Sequence, residues 1–175
     1  MKISNSRIKL AKFVEADFNI FADMRMCPEM MEHIYTPFTL EEVKQQFSAY
    51  LAPWDKSSND WLSFSIELIS SGEKVGNIGL KIKDHESKVA EVGFMIRKQS
   101  QGKGIASEAL SLAKNFAFND LGLNKIEATC STANQASFSL LEKHGFKQET
   151  VLKNNSVING KSVDDFLYGL VKQAI

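Results

Sequence analysis

The sequence predicts a mixed α/β fold, with a mostly antiparallel central sheet and helices on both faces. Three stretches between residues 61 and 96 alternate apolar and polar side chains, the pattern of strands with one buried face. The turns between them are short, which favours antiparallel pairing. Residues 104–118 and 134–144 instead repeat apolar side chains at helical spacing, with a short β-like run at 125–130 between them.

The first third of the chain is predicted to hold one strand and two helical stretches. Residues 8–14 suit a first strand, and residues 17–34 follow a helical pattern. Pro28 must break or restart that helix, because proline lacks an N–H and crowds the preceding turn. The next helix is marked by a capping box made of Thr39 and Glu42. Its apolar stripe consists of Val43, Phe47, Tyr50 and Leu51.

The last third is predicted to close the sheet with two strands. Gly122 and Gly145 stand where the helices at 104–118 and 134–144 should end, since glycine is favoured after a helix C-terminus. The closing strands are expected near 147–152 and 163–172.

Composition indicates a single globular domain spanning residues 1–175. Apolar residues make up 43% and charged residues 24%; 21 basic and 21 acidic side chains give no net charge, which does not favour a nucleic-acid partner. We expect a soluble cytoplasmic protein without a membrane partner, because no stretch approaches the ~20 apolar residues that span a bilayer. Cys27 and Cys130 match no metal-ligand spacing, so we predict buried free thiols and no metal site.

A strand, a turn with two glycines and a helix start follow one another between residues 91 and 107. The first turn of a helix has unpaired N–H groups and a partial positive charge. Gly102 and Gly104 lack the Cβ atoms that would keep a bulky anion away, so this turn predicts a phosphate or pyrophosphate cradle. A Walker loop is excluded because Lys103 is followed by glycine, and Ser107 disfavours a dinucleotide fingerprint. By itself, the turn also fits a tight connection that binds nothing.

These residues resemble the acyl-CoA signature of the GNAT acetyltransferase superfamily. The resemblance starts with the strand 91–96 and continues as Gln-x-x-Gly-x-Ala through Gln101, Gly104 and Ala106. The segment from Asn134 and Ser137 to Gly145-Phe146 is similar to the family's Asn-x-x-Ser … Lys-x-Gly-Phe segment. Two further segments resemble the branch of the family that acetylates ribosomal-protein N-termini. They are Pro37-Phe38-Thr39 and Asn159-Gly160 … Asp164/Asp165 … Tyr168.

The resemblance implies that acetyl-CoA is the donor and that strand 89–96 splays from strand 125–130 to leave a cleft. Backbone groups of the first strand would bind the pantetheine arm, and N–H groups of the turn would hold the pyrophosphate. Lys103 would add charge or be a solvated lysine, and Asn134 would contact the cofactor, cap its helix, or both. The implied cofactor-binding residues are Phe94, Met95, Ile96, Gln101, Gly102, Lys103, Gly104, Ile105, Ala106, Ser107 and Asn134.

Two residues are candidates for catalysis. Many relatives place a tyrosine seven residues after the asparagine, but Leu141 stands there, so the Ser137 hydroxyl is the expected proton donor or holder of a water. A serine that bonds its own helix backbone is the alternative. Glu91 is the candidate base, acting through water, with a solvated strand glutamate as the alternative. The acid that some relatives place just before the Asn-Gly of the last hairpin is absent, because Ser156 and Val157 occupy that region.

The expected function is an acetyl-CoA-dependent N-acetyltransferase, with direct attack by the amine in a ternary complex. The preferred acceptor is a protein N-terminal amine, in a pocket between the helices of 17–55 and the hairpin of 153–163. Two alternatives stay open: a small-amine (polyamine or drug) acetyltransferase, and a non-catalytic acyl-CoA-binding regulatory module. A homodimer is compatible with the resemblance.

Overall fold

A computed structural model of the chain describes residues 3–173, which form eight strands in one sheet and five α-helices. The strands are β1 Ile3–Ser4, β2 Ile8–Lys12, β3 Leu62–Leu68, β4 Lys74–Asp84, β5 Val89–Ile96, β6 Lys125–Ser131, β7 Lys147–Ile158 and β8 Lys161–Val171. The helices are α1 Phe18–Met26, α2 Pro28–Met31, α3 Leu40–Leu51, α4 Ile105–Asn115 and α5 Gln135–Lys143.

The strand order across the sheet is β1-β2-β3-β4-β5-β6-β8-β7, and every pair is antiparallel except β5 and β6. Helices α4 and α5 cover one face and build the main core there, where Phe94 of β5 packs. Helices α1 to α3 lie on the opposite face, where Met95 packs against Met24 and Met31. The predicted mixed α/β fold with helices on both faces is confirmed.

Two local features predicted for the first third of the chain are present, the capping box of α3 and the helix break at Pro28. Glu42 N donates to Thr39 Oγ1 at 3.3 Å, and Thr39 N donates to Glu42 Oε2 at 2.8 Å, which completes the capping box of α3. The hydrogen bonds that Thr39 N and Thr39 Oγ1 donate to the Glu42 carboxylate lower the pKa of Glu42. Pro28 ends one helical stretch and begins α2, because its ring is tolerated only in a first turn.

The structure differs from the predicted elements in two places that matter for the site. Ser63 and Ser65 of β3 are buried, although alternation predicted one exposed face, because α1 to α3 cover that side of the sheet. The last hairpin is longer than predicted, since β7 runs on to residue 158. Asn159 and Gly160 both have positive φ, +51° and +75°, the pattern of a two-residue hairpin turn.

Candidate active site

A cleft opens between β5 and β6. Their parallel pairing ends where Glu91 lies opposite Glu127. From residue 92 to 96, β5 pairs only with β4 among the described residues, while β6 continues along β8 until Ser131 lies opposite Asp165. The two strands therefore diverge, and the cleft widens toward their C-terminal ends, as the resemblance implied.

Alternation along β5 decides which backbone groups line this cleft. Arg97 N donates to Val75 O at 2.8 Å, one residue beyond the register pair of Ile96 and Gly76. In an antiparallel ladder the groups that bond the partner alternate with groups that point away from it. The N–H and C=O of Phe94 and Ile96 thus point into the cleft, whereas those of Met95 bond to β4.

The turn after β5 is held to that strand by a side chain. Gln101 Nε2 donates to Ile96 O at 2.9 Å, so the Gln101 amide is used within the protein. Gly102 and Gly104 have φ of +71° and +78°, and Gly104 is the residue from which α4 starts. A Cβ on Gly102 would meet no atom within 4 Å. Backbone conformation, not crowding, therefore requires glycine here, and the start of α4 is open to a ligand.

Side chains around the turn add charge on one side and apolar packing on the other. Lys103 is exposed, and Ile105 is buried in the main core, so Ile105 offers only its backbone to a ligand. Arg7 pairs with Glu108 of the first turn of α4, with Nη1 2.7 Å from Oε1. The same Nη1 lies 3.8 Å from the Cβ position of Gly104. Sequence reasoning did not identify Arg7, because this residue directly precedes β2 and is far from the turn along the chain.

The Ser107 hydroxyl connects α4 to the end of α5. Its Oγ lies 2.7 Å from Nε2 of His144. Burial, and then the charges of Lys114 and Lys143, lower the pKa of His144. Although His144 follows the C-terminus of α5, where a helix dipole favours a cation, desolvation and two lysines outweigh that effect and oppose its charge.

Asn134 and Ser137 stand at the start of α5, beside the end of β6. Asn134 Oδ1 accepts from Ser137 N at 3.2 Å, which is the N-cap contact. Burial raises the pKa of Cys130 to about 11, and a hydrogen bond with the Ser137 side chain offsets part of that rise. The Ser137 hydroxyl therefore lies next to the Cys130 thiol, on the α4–α5 face of the cleft. Both cysteines are free; Cys130 is buried and Cys27 half-buried.

Glu91 lies on the opposite face, at the narrow end of the cleft. It is half-buried and stands in register with Lys81 on one side and Glu127 on the other. Glu127 itself pairs with Lys83 and Lys125, at 2.8 and 2.9 Å. The structure thus places the Glu91 carboxylate at the edge of the cleft, within a row of charged side chains.

Trp61 covers the middle of that same face. Gly79 and Gly93 are register partners on β4 and β5. A Cβ on Gly93 would lie 3.4 Å from Trp61 Cη2, and one on Gly79 would lie 3.2 Å from Trp61 Cε3. The indole therefore occupies the space that two side chains would fill, between Glu91 and Met95 along β5. Sequence reasoning missed it, although glycines on one face of adjacent strands were the available signal.

The β7–β8 hairpin closes the far side of this face. Asn159 N donates to Thr36 Oγ1 at 2.8 Å, so the hairpin tip contacts the segment between α2 and α3. Asp165 of β8 is 3% exposed, and its Oδ2 accepts from Asn155 Nδ2 at 2.8 Å and from Ser156 Oγ. A carboxylate is therefore present beside Ser156, where sequence reasoning found no acid, because it comes from the neighbouring strand.

Two further properties of the described chain bear on the site. Within residues 3–173, no helix is both long and apolar enough to cross a membrane. In the same range, His, Cys, Asp and Glu side chains form no group of three or more that would hold a metal ion.

Comparison with known proteins assigns the family. The profile of the acetyltransferase (GNAT) domain matches residues 7–147. The chain belongs to the GNAT acetyltransferase family. An uncharacterized N-acetyltransferase, p20, of Bacillus licheniformis is 30% identical to this GNAT protein over 169 residues, which cover 95% of this chain and 94% of p20. A Bacillus subtilis protein provisionally named a ribosomal N-acetyltransferase is 29% identical over 120 residues, 69% of this chain and 66% of its own.

Solved structures agree on the fold. Spermidine N-acetyltransferase from Vibrio cholerae, crystallised with CoA and spermine, superposes with a TM-score of 0.83 over 95% of this chain and 96% of its own, at 21% identity. The GNAT assignment makes this chain an acetyl-transferring enzyme, and the GNAT fold uses acetyl-CoA as the donor.

Proposed function

We propose that this GNAT enzyme transfers the acetyl group of acetyl-CoA to a protein N-terminal amine, which attacks directly in a ternary complex. The observation that carries the proposal is the continuity of cleft and turn. The cleft edge of Phe94 and Ile96 leads within a few residues to the open helix start at Gly104. A long donor with a polar arm and an anionic end fits such an arrangement. We propose that residues 1–175 act together as one catalytic domain.

The donor would be held mainly by backbone. The N–H and C=O of Phe94 and the N–H of Ile96 would bind the pantetheine arm as an added strand. The N–H groups from Gly102 to Ser107 would hold the pyrophosphate, because a helix start favours anions. Gln101 holds the turn in place, and Lys103 adds positive charge at its rim. Asn134, which caps α5, borders the same cleft.

The chemistry needs a polarised carbonyl, a neutral amine and a proton for the leaving thiolate. Bound acetyl-CoA supplies the acetyl thioester. One of the N–H groups that β5 directs into the cleft would polarise the thioester carbonyl, while the others bind the arm. Ser137, on the α4–α5 face, would donate a proton to the thiolate and recover one from water. Glu91, on the other face, would act through water as the base.

The acceptor side favours an amine at the end of a chain. The Asn159–Thr36 hydrogen bond joins the hairpin tip to the α2–α3 segment, so the approach on this face is framed on both sides. An amine at the end of a peptide can enter between the hairpin and the α2–α3 segment more easily than a side chain on a folded surface can. A small-amine acceptor is the second candidate, because the Vibrio cholerae neighbour was crystallised with spermine. Cytoplasmic location and a homodimer remain predictions.

Release of CoA thiol tests the proposal. Each reaction contains the purified chain, acetyl-CoA and one acceptor. The acceptors are peptides with a free α-amine, the same peptides with a blocked N-terminus and an internal lysine, and spermidine. We expect thiol release with the free α-amine only, and mass spectrometry should locate the acetyl group there. Release with spermidine alone would support the polyamine alternative. CoA binding without release across the panel would support a non-catalytic regulatory module.

A further inference from the structure

We propose that Asp165 is an anionic subsite that binds the ammonium group of the acceptor before transfer. This inference rests on the proposed acetylation of an amine. Asp165 belongs to the Asp164/Asp165 pair of the resemblance, which assigned it no role in binding or catalysis.

The first argument is a buried charge without a counter-ion. Asp165 is only 3% exposed, yet none of the ion pairs among residues 3–173 involves it. A buried carboxylate is costly unless it is paired or well hydrogen-bonded. Its neighbour Asp164 shows the contrast, because Asp164 accepts from Lys153 Nζ at 2.8 Å and from Asn154 N at 2.8 Å. A cationic ligand would supply the counter-ion that Asp165 lacks.

The second argument is the direction in which Asp165 points. Its neighbour Phe166 packs against Phe138 of α5, with ring centroids 5.6 Å apart, so Phe166 faces the donor side. Successive side chains of a strand point to opposite faces. Asp165 thus lies on the face of Trp61 and Glu91, which is the acceptor side.

The third argument is its position at the open end of the cleft. Asp165 is in register with Ser131, the last residue of β6, and Cys130 is in register with Phe166. The Ser137 hydroxyl lies next to the Cys130 thiol on the donor face. Ser137 and Asp165 therefore flank the end of β6 from opposite faces. An ammonium on one side and a leaving thiolate on the other would each meet the group that its charge requires.

The hydrogen bonds of Asp165 orient the carboxylate without neutralising it. Asn155 and Ser156 are uncharged donors, and both bond to Oδ2. Oδ1 receives no hydrogen bond from any residue in the described range, which leaves it for a ligand. Glu91 differs, because it is only half-buried, so water can solvate part of its charge. A purely structural role remains the alternative for Asp165, since its two donors lie at the bulge between Leu152 and Ser156.

Calorimetry on the CoA complex separates these roles. The probes are a short peptide amide with a free α-amine, spermidine, and the same peptide N-acetylated. Asp165→Asn keeps the shape and an acceptor oxygen but removes the charge. We expect it to weaken binding of the free-amine peptide by about 30-fold or more, the usual cost of unpairing a buried charge, and to leave the N-acetyl peptide unchanged. Asp165→Glu should restore part of the loss. Asp164→Asn, the adjacent acid with a lysine partner, is the matched control and should change little.

Several outcomes would overturn the proposal. One is equal affinity of wild type and Asp165→Asn for the free-amine peptide. Another is an equal loss of affinity for the free-amine peptide and its N-acetyl form, which would indicate a purely structural role for Asp165. A loss confined to spermidine would place the subsite at a distal charge and not at the reacting amine. The measurement does not depend on turnover: a wild type that binds the amine but releases no thiol contradicts the proposed activity alone.

Discussion

The proposed donor side and the proposed acceptor side of the cleft are built in different ways. The donor side comes from one continuous segment, in which strand, turn and helix start follow one another and offer mainly backbone groups. The acceptor side is assembled from side chains that are far apart in the chain. Trp61, Glu91, Asp165 and the Thr36–Asn159 contact all belong to it.

Because of this difference, substitutions should affect donor binding and acceptor binding in different ways. A site made of backbone N–H groups depends on dihedral angles, so it tolerates changes of neighbouring surface side chains but not of a positive-φ glycine. A site made of side chains depends on packing and charge, so single substitutions should change acceptor binding without changing donor binding.

The largest effect is expected at Ser137, whose side chain is the proposed proton donor on the α4–α5 face. Ser137→Ala should lower kcat by about 100-fold, the typical contribution of a proton donor, and change CoA affinity little. Steady-state kinetics and calorimetry measure the two quantities. Ser139→Ala, an exposed serine of the same helix, is the control. Equal losses in kcat and CoA affinity would indicate a binding role only.

The next effect tests the backbone nature of the donor side. Gly104→Val should weaken CoA binding about tenfold, because a residue with a Cβ pays about 1–2 kcal/mol at φ +78° and the turn would shift to relieve it. Calorimetry and the melting temperature check this. Gly72→Val is a matched control, since Gly72 has φ +72° and open space around it in the β3–β4 turn. It should cost similar stability and leave CoA binding intact; a Gly104→Val chain that binds CoA normally would refute the cradle.

A smaller effect is expected where the indole lies over β5. Gly93→Ala would place a Cβ 3.4 Å from Trp61 Cη2, at the limit of an ordinary van der Waals contact, so the ring would lose its free space on that side. We expect KM for the amine to rise about threefold, with CoA affinity unchanged, because a slight overpacking restricts the ring without unfolding the site. Gly79→Ala would crowd the same ring from β4, at 3.2 Å from Trp61 Cε3, but it would also lie 2.9 Å from Ser63 Oγ, so it should lower the melting temperature as well as raise KM. If neither variant changes acceptor KM, Trp61 is not part of the acceptor wall.

The smallest effect concerns pH. The folded-state pKa of His144 is lowered, so protonation is less favourable in the folded than in the unfolded chain. The folded state therefore loses stability as pH falls below the ordinary histidine value of about 6.5, and it gains nothing above that value. His144→Asn should reduce the fall in melting temperature between pH 7 and 5 by about a degree, because the side chain is half-exposed. Parallel melting curves for wild type and variant would contradict this.

Local patterns accounted for most of the elements and for the conformation of the glycine turn before α4. The capping box at Thr39, the restart at Pro28 and the glycines of the turn act through contacts within a few residues, so their neighbours in sequence suffice to predict them. The same argument failed for β3, because the burial of Ser63 and Ser65 depends on helices that are remote in the chain.

The sequence by itself determined the fold class, the start of each main helix and the glycine turn that precedes α4, because propensities, caps and positive-φ glycines are local properties. The tertiary structure alone decided that Phe94 and Ile96, but not Met95, turn their backbone to the cleft, since this depends on the register with β4. It also decided that Asp165 supplies the buried carboxylate beside Ser156, because strand pairing, and not spacing along the chain, brings those two residues together.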